Sequence, residues 1–107
     1  MQRVTLVRYA AKPERAAENE ALSRVVFAEL RARTPGGVAY ALFRNGAEFV
    51  HLFVNLAEDS SDAVTELPSF KAFGKDSGER YEAAPQVERL SLQLVDAYGF
   101  TGAMVPA

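Results

Sequence analysis

An α+β domain with the element order β-α-β-β-α-β, the ferredoxin-like sandwich, is predicted by three features of this 107-residue chain. A β-branched opening run leads into a long stretch of helical periodicity. Two apolar runs flank an Asn-Gly dipeptide, and a phenylalanine-containing segment precedes a final alternating run. In that arrangement four antiparallel strands form one sheet, with both helices on one face.

Residues 3–9 open the chain as a strand carrying Val4, Thr5 and Val7, and the strand ends at Lys12-Pro13. Pro13 suits the first turn of a helix, and Glu14 suits the positive end of its dipole. Over residues 15–33, Ala17, Ala21, Leu22, Val25, Val26, Ala28 and Leu30 recur at helical spacing opposite a charged face. Arg31 and Arg33 lie at the end that favours basic charge, and Thr34-Pro35-Gly36-Gly37 stops the helix. Residues 38–43 and 47–56 read as two strands joined at Arg44-Asn45-Gly46, whose Asn-Gly pair adopts positive φ at low cost. A polar connection follows at 58–62, where Ser60 or Ser61 caps a turn through Ala63, Val64 and Leu67. Residues 68–81 hold one or two short helical pieces, weakened by Gly74 and Gly78. Residues 87–95 form the last strand, and residues 96–107 an irregular or dimer-contacting tail of a single domain spanning 1–107.

Alternation divides the second hairpin arm into Phe49, His51, Phe53 and Asn55 on one face and Val50, Leu52, Val54 and Leu56 on the other. The expectation is that the second set packs on the helices together with Leu90, Leu92 and Leu94. Phe49, His51, Phe53, Arg89, Ser91 and Gln93 then face outward. A second copy covers such a mixed aromatic surface economically, so a homodimer is expected.

Composition narrows the chemistry. Twelve Lys and Arg against 14 Asp and Glu give a net charge of -2 without a long basic run, which argues against nucleic acid as a partner. The absence of cysteine removes disulfides, thiolate metal sites, iron-sulfur clusters and cysteine nucleophiles. With one histidine, a zinc site is hard to assemble within one chain, and neither metal nor cofactor is expected. Glu58, Asp59 and Asp62 lack the spacing and central glycine of a calcium loop, and Gly74 with Gly78 matches neither common phosphate-binding motif. The opening does not resemble a signal peptide, and no apolar run approaches the roughly 18 residues of a spanning helix. A cytoplasmic protein without a membrane partner is the expectation.

The strand Val4-Thr5-Leu6-Val7-Arg8-Tyr9, the Pro13-initiated helix, the arm Val38-Ala39-Tyr40-Ala41-Leu42-Phe43 and the segment Phe70-Lys71-Ala72-Phe73 resemble the antibiotic biosynthesis monooxygenase-like proteins of the dimeric α/β-barrel superfamily. The resemblance covers nearly the whole chain. It implies ferredoxin-like domains that form a dimeric α/β barrel, with a cleft between sheet and helices. It also implies chemistry ranging from cofactor-independent oxidation of phenols or quinols, through haem degradation, to isomerisation. The helix after the hairpin in that family often carries a Trp and a His; this chain has no Trp, and its single His lies on a strand.

His51 and Arg89 are the candidate catalytic residues. A neutral imidazole takes a proton from a phenol, and a guanidinium holds the resulting anion. A histidine packed beside Phe49 and Phe53 and hydrogen-bonded across the sheet is the structural alternative. Phe49, Phe53, Ser91, Gln93, Tyr9 and Tyr40 are candidate substrate-binding residues, their rings and polar groups orienting an aromatic molecule. A lone histidine suffices as an axial haem ligand, although nothing around His51 asks for haem. The expected function is a cofactor-independent oxygenase-like (possible monooxygenase) or isomerase-like enzyme acting on a small aromatic or apolar molecule in the cleft of a homodimer. The alternative is a non-catalytic dimeric small-molecule-binding or structural protein.

Overall fold

The computed structural model describes residues 2–55 and 63–98. Along the chain run β1 (Gln2–Ala10), α1 (Ala16–Arg33), β2 (Val38–Asn45), β3 (Glu48–Asn55), α2 (Pro68–Lys75), α3 (Ser77–Arg80) and β4 (Gln86–Leu92). The sheet order is β2-β3-β1-β4, and every neighbouring pair is antiparallel. The chain therefore makes the α+β ferredoxin-like sandwich that the element order predicts. It does not close into the expected barrel: β2 and β4 stand at opposite edges with one neighbour each. A barrel interior filled by side chains takes about eight strands, and four leave the two edges far apart.

Pro13–Arg15 form a single 3-10 turn that leads into α1, with Pro13 where a missing N–H costs nothing. The buried face of α1 is Ala16, Asn19, Ser23 and Val26, supported by the partly buried Leu22 and Leu30. Ala17, Ala21, Val25 and Ala28, part of the predicted stripe, are exposed. The helix ends at Thr34, the only non-glycine residue with positive φ (46°) among those described, whose N–H reaches the Leu30 carbonyl at 2.7 Å. α2 has Pro68 in its first turn and no side-chain cap of its own. Glu29 of α1 supplies one, accepting from the Ser69 N–H at 3.0 Å and its hydroxyl at 2.5 Å. The helical segment breaks at Asp76, giving the two short pieces.

The hairpin turn is Gly46-Ala47, closed by the pair Asn45↔Glu48, so the turn lies one residue beyond the predicted Asn-Gly site. Gly46 takes φ +61°, as the first central position of a two-residue hairpin loop requires. From this turn the register fixes the faces. Phe49, His51, Phe53 and Asn55 pair with Tyr9, Val7, Thr5 and Arg3 of β1 on the side that the helices cover. This reverses the predicted orientation. The face left without helices carries Val50, Leu52 and Val54, with Val4 and Leu6 of β1, Leu90 and Leu92 of β4, and Phe43 of β2. Alternation defines two faces but cannot rank them when both are apolar. The helix layer selects the aromatic face because α1 and α3 bring polar groups that the tyrosine and histidine side chains satisfy.

β4 differs from its neighbours, since all of its residues are exposed and its ladder to β1 is its sheet contact. The predicted strand ran to residue 95; pairing stops at Leu92. Residues 96–98 of the predicted tail form no regular element, and residues 99–107, like the acidic connection at 58–62 and its proposed serine cap, lie outside the described residues.

Candidate functional site

The register places Tyr9 and Tyr40 diagonally on either side of His51. Tyr9 of β1 pairs with Phe49, Tyr40 of β2 pairs with Phe53, and His51 lies between these two rows on β3. Diagonal neighbours in a sheet stand within reach of aromatic side chains. The Tyr9 hydroxyl lies 2.7 Å from His51 Nε2 and the Tyr40 hydroxyl 2.5 Å from Nδ1, so both ring nitrogens are engaged. His51 is 3% exposed.

The line continues into the helices. Asn19 of α1 donates from Nδ2 to the Tyr9 oxygen at 2.8 Å, and its Oδ1 accepts from Arg80 Nε of α3 at 3.0 Å. Arg80 also donates from Nη2 to the Phe73 carbonyl at 2.6 Å and is 1% exposed. A guanidinium has no acceptor, so it fixes which end of the Asn19 amide faces it. Asn19 must then donate to Tyr9, whose single hydrogen has two acceptors in reach, His51 Nε2 and the Tyr81 hydroxyl. When it goes to His51, the imidazole carries its proton on Nδ1 and donates to Tyr40. In that tautomer every bond along Arg80–Asn19–Tyr9–His51–Tyr40 runs in one direction.

Electrostatics follow from burial. Desolvation pulls the His51 pKa down from 6.5 to about 4, so the imidazole is neutral at pH 7. Burial raises the Tyr9 and Tyr40 hydroxyls well above the ordinary phenol range, with the Asn19 hydrogen bond opposing the rise at Tyr9. Burial also raises Tyr81, whose ring stacks on Tyr9 at 3.9 Å, while the Arg80 charge acts in the opposite sense. Arg80 has no carboxylate partner among the described residues; it lies over the Phe73 ring at 4.8 Å and the Tyr81 ring at 5.8 Å. Cation-π contact and two hydrogen bonds replace an ion pair.

A cleft of about 330 Å³ opens beside this cluster, where the β1–β4 side of the sheet meets α2 and the turn before it. Thr5, Phe53, Phe70, Arg3 and Arg89 lie in its wall. Phe53 forms an edge contact with Phe70 at 6.1 Å and stacks on Tyr40 at 4.3 Å, so one wall of the cleft rests on the hydrogen-bonded cluster. Among the described residues no group of His, Asp and Glu is placed to hold a metal ion, and no helix is long and apolar enough to cross a membrane.

Of the residues selected from sequence, Phe53 and Arg89 line this cleft. His51, Tyr9 and Tyr40 form the buried cluster next to it, and Phe49 is fully buried against Tyr9 with ring centroids 5.6 Å apart. Ser91 is exposed on β4 opposite Arg3, and Gln93 is exposed beyond the end of β4. The structure therefore separates His51 from Arg89: they share a sheet face but not a cavity. Sequence reasoning missed Asn19, Arg80, Arg3 and Phe70. Asn19 and Ser23 do carry a signal, because with Ala16 and Val26 they complete an i, i+3, i+7, i+10 stripe of small and polar residues.

The sequence matches no known family model and no curated protein. Solved structures do match in shape. A candidate antibiotic biosynthesis monooxygenase from Caulobacter crescentus aligns with a TM-score of 0.72 at 24% identity, over 86% of this chain and 91% of that one. Rv0793 from Mycobacterium tuberculosis aligns with a TM-score of 0.75 at 19% identity, over 90% of this chain and 100% of that one. A conserved protein from Methanosarcina mazei gives 0.73 at 16% identity, over 87% and 94%. With the element order, the sheet topology and these matches in agreement, the chain has the fold of the antibiotic biosynthesis monooxygenase-like proteins.

Proposed function

We propose that the chain binds a small aromatic or apolar molecule in the cleft between β1–β4 and α2, as a homodimer, and acts on it as a cofactor-independent oxygenase or isomerase. The observation that carries this reading is the presence of Phe53, Phe70 and the Arg89 guanidinium in one cleft beside a locked aromatic floor. Oxygenation of an electron-rich phenol and isomerisation next to a carbonyl both pass through a deprotonated substrate. A guanidinium at the edge of an apolar cleft stabilises that anion. In this reading Arg89 holds the anion and Phe53 with Phe70 holds the ring. His51 is a positioning residue: it fixes Tyr40, and the Tyr40 stack fixes Phe53.

The dimer belongs to the same proposal, now through the face without helices. Phe43 is 58% exposed, and Leu90 and Leu92 stand beside Val4, Leu6, Val50, Leu52 and Val54 on that face. A contiguous apolar sheet face is stabilised by pairing with its own copy. Light scattering checks this directly: a monomeric wild type, or a dimer unaffected by Phe43→Glu, removes it.

One observation favours binding without turnover. Both His51 nitrogens are occupied by tyrosines, and the described lining of the cleft contains no carboxylate or imidazole to act as a base. Oxygen uptake and product mass are to be followed with hydroquinones and phenols, and proton exchange at activated carbons with ketones in heavy water. Turnover lost in Arg89→Gln supports the enzyme. Saturable binding without turnover supports the binding protein, and no binding by any aromatic probe removes both.

A further inference from the structure

We infer that the cleft recognises an aromatic carboxylate, with Arg3 and Arg89 together holding the carboxylate and Phe53 with Phe70 holding the ring. The inference rests on the proposed cleft and adds the charge and shape of its ligand. Arg89 of β4 pairs with Thr5 of β1, and Arg3 pairs with Ser91, so the two arginines are diagonal neighbours on the helix-covered side of the sheet. Diagonal neighbours stand about 7–8 Å apart, and two flexible side chains of this length converge on one carboxylate.

The charge pattern distinguishes this cleft from three other concavities of the described surface. One of those holds Arg8 together with Glu48 and Glu82, and another holds Arg24 and Arg44 with Glu20. A third holds Arg31, which lies over the Phe27 ring at 5.9 Å. Of these four clefts, the one at Phe53 combines two arginines with no acidic residue in its described lining. Neither Arg3 nor Arg89 has an ion pair among the described residues, whereas Arg15, Arg24, Arg33 and Arg44 each have one. Two guanidiniums on one wall, without an ion pair among the described residues, form a local positive field suited to a single anion.

The register also sets the ligand's length. Phe53, Thr5 and Arg89 form one row across β3, β1 and β4, which places the ring and the charge about 10 Å apart at the backbone. The arginine side chains fold back over part of that span, and the Thr5 hydroxyl lies between. A planar ring system bearing a carboxylate fills this row. A small inorganic anion does not reach Phe53, and a neutral arene leaves the guanidiniums unused.

The test uses the full chain and three probes by calorimetry: 2-naphthoate, its neutral analogue 2-naphthamide, and acetate. The expected result is that naphthoate binds about tenfold or more tightly than naphthamide, and that acetate binds only weakly. Arg3→Gln and Arg89→Gln each lower naphthoate affinity by about tenfold and leave naphthamide unchanged, because both side chains are exposed and their loss spares the fold. Phe53→Leu weakens both aromatic probes. Equal binding of naphthoate and naphthamide, or naphthoate binding that survives both arginine substitutions, overturns the carboxylate assignment while leaving the aromatic cleft in place. Failure of both aromatic probes overturns the cleft itself.

Discussion

Acid should unfold this protein through His51, and the size of the effect follows from burial. The imidazole titrates near 6.5 when exposed and near 4 in the folded chain, so the native state resists a proton that the unfolded state accepts. A base with a depressed folded pKa contributes stability that is present above pH 6.5 and is lost as pH falls towards 4. Between pH 7 and pH 5 the loss is about 2 kcal/mol, and by pH 4 it reaches about 3 kcal/mol. The perturbation is His51→Gln, which has no charge to gain and retains a donor and an acceptor. Urea unfolding from pH 7.5 to pH 5, above most carboxylate titration, should give a falling midpoint in the wild type and a nearly flat one in the variant. The variant is less stable at pH 7, since one of two tyrosine bonds is lost, but its slope against pH is the readout. The chain has one histidine, so its Cε1–H resonance reports the site alone. A wild-type midpoint as flat as the variant's, or a folded-state titration near 6.5, would refute the reasoning.

Other predictions test the same cluster and its supports. Asn19→Asp presents only acceptors to Arg80 and Tyr9, so Tyr9 must donate to the introduced carboxylate; His51 then donates from Nε2, and its nitrogen NMR shifts exchange, whereas an unchanged Nδ1–H tautomer contradicts the one-way line. Asn19→Ala leaves Arg80 Nε and the Tyr9 oxygen short of a partner and costs about 2–3 kcal/mol in urea unfolding; a loss below about 0.5 kcal/mol shows the line to be energetically idle. Thr34→Gly relieves a β-branched residue of left-handed backbone and raises stability by about 1 kcal/mol, a rise of several degrees in Tm; a fall in Tm contradicts strain at this cap. Glu29 is held below the usual carboxylate range, chiefly by the Ser69 hydroxyl, so its contribution is present above pH 4.5 and fades as pH falls through its folded value. Glu29→Gln should lower Tm at pH 7 and flatten the remaining acid dependence, and thermal melts at stepped pH decide it.

How far the sequence determines this architecture depends on the kind of signal. β1, α1 and the hairpin were legible because each carries a local pattern with a local cause: β-branched residues before Lys12-Pro13, helical periodicity up to Thr34-Pro35, and a glycine at the turn. The hairpin slipped by one residue because Asn45-Gly46 and Gly46-Ala47 both place Gly46 where positive φ is available. The orientation of the sheet was not legible. Phe49, His51 and Phe53 alternate with Val50, Leu52 and Val54, and both sets are apolar enough to be buried. What decides between them lies elsewhere in the chain: Asn19 on α1 and Arg80 on α3 supply the polar partners that a buried tyrosine-histidine row needs. Hydrophobic periodicity discounts Asn19 and Ser23, so the predicted stripe of α1 shares Leu22, Val26 and Leu30 with the buried face but misses its polar half. Arg89 was identified by its strand position, and Phe53 by its ring. Arg3 and Phe70 join them only through cross-strand register and the docking of α2, which no local pattern encodes.

β4 gives the cleft a mechanical character. Its residues are all exposed, and one ladder to β1 holds it, so it belongs to the part of the fold that opens at the least free energy. Arg89 rides on this strand, while Arg3 and Phe53 ride on strands buried between neighbours. A molecule that contacts all three therefore clips the loosest strand to the tightest. Its occupancy should be written into the amide protons of residues 86–92, whose exchange with solvent slows as the clip closes, while the protons of β3, already protected, report nothing. In such an arrangement affinity and strand order are one quantity, and a substitution that frays β4 weakens the ligand without touching it.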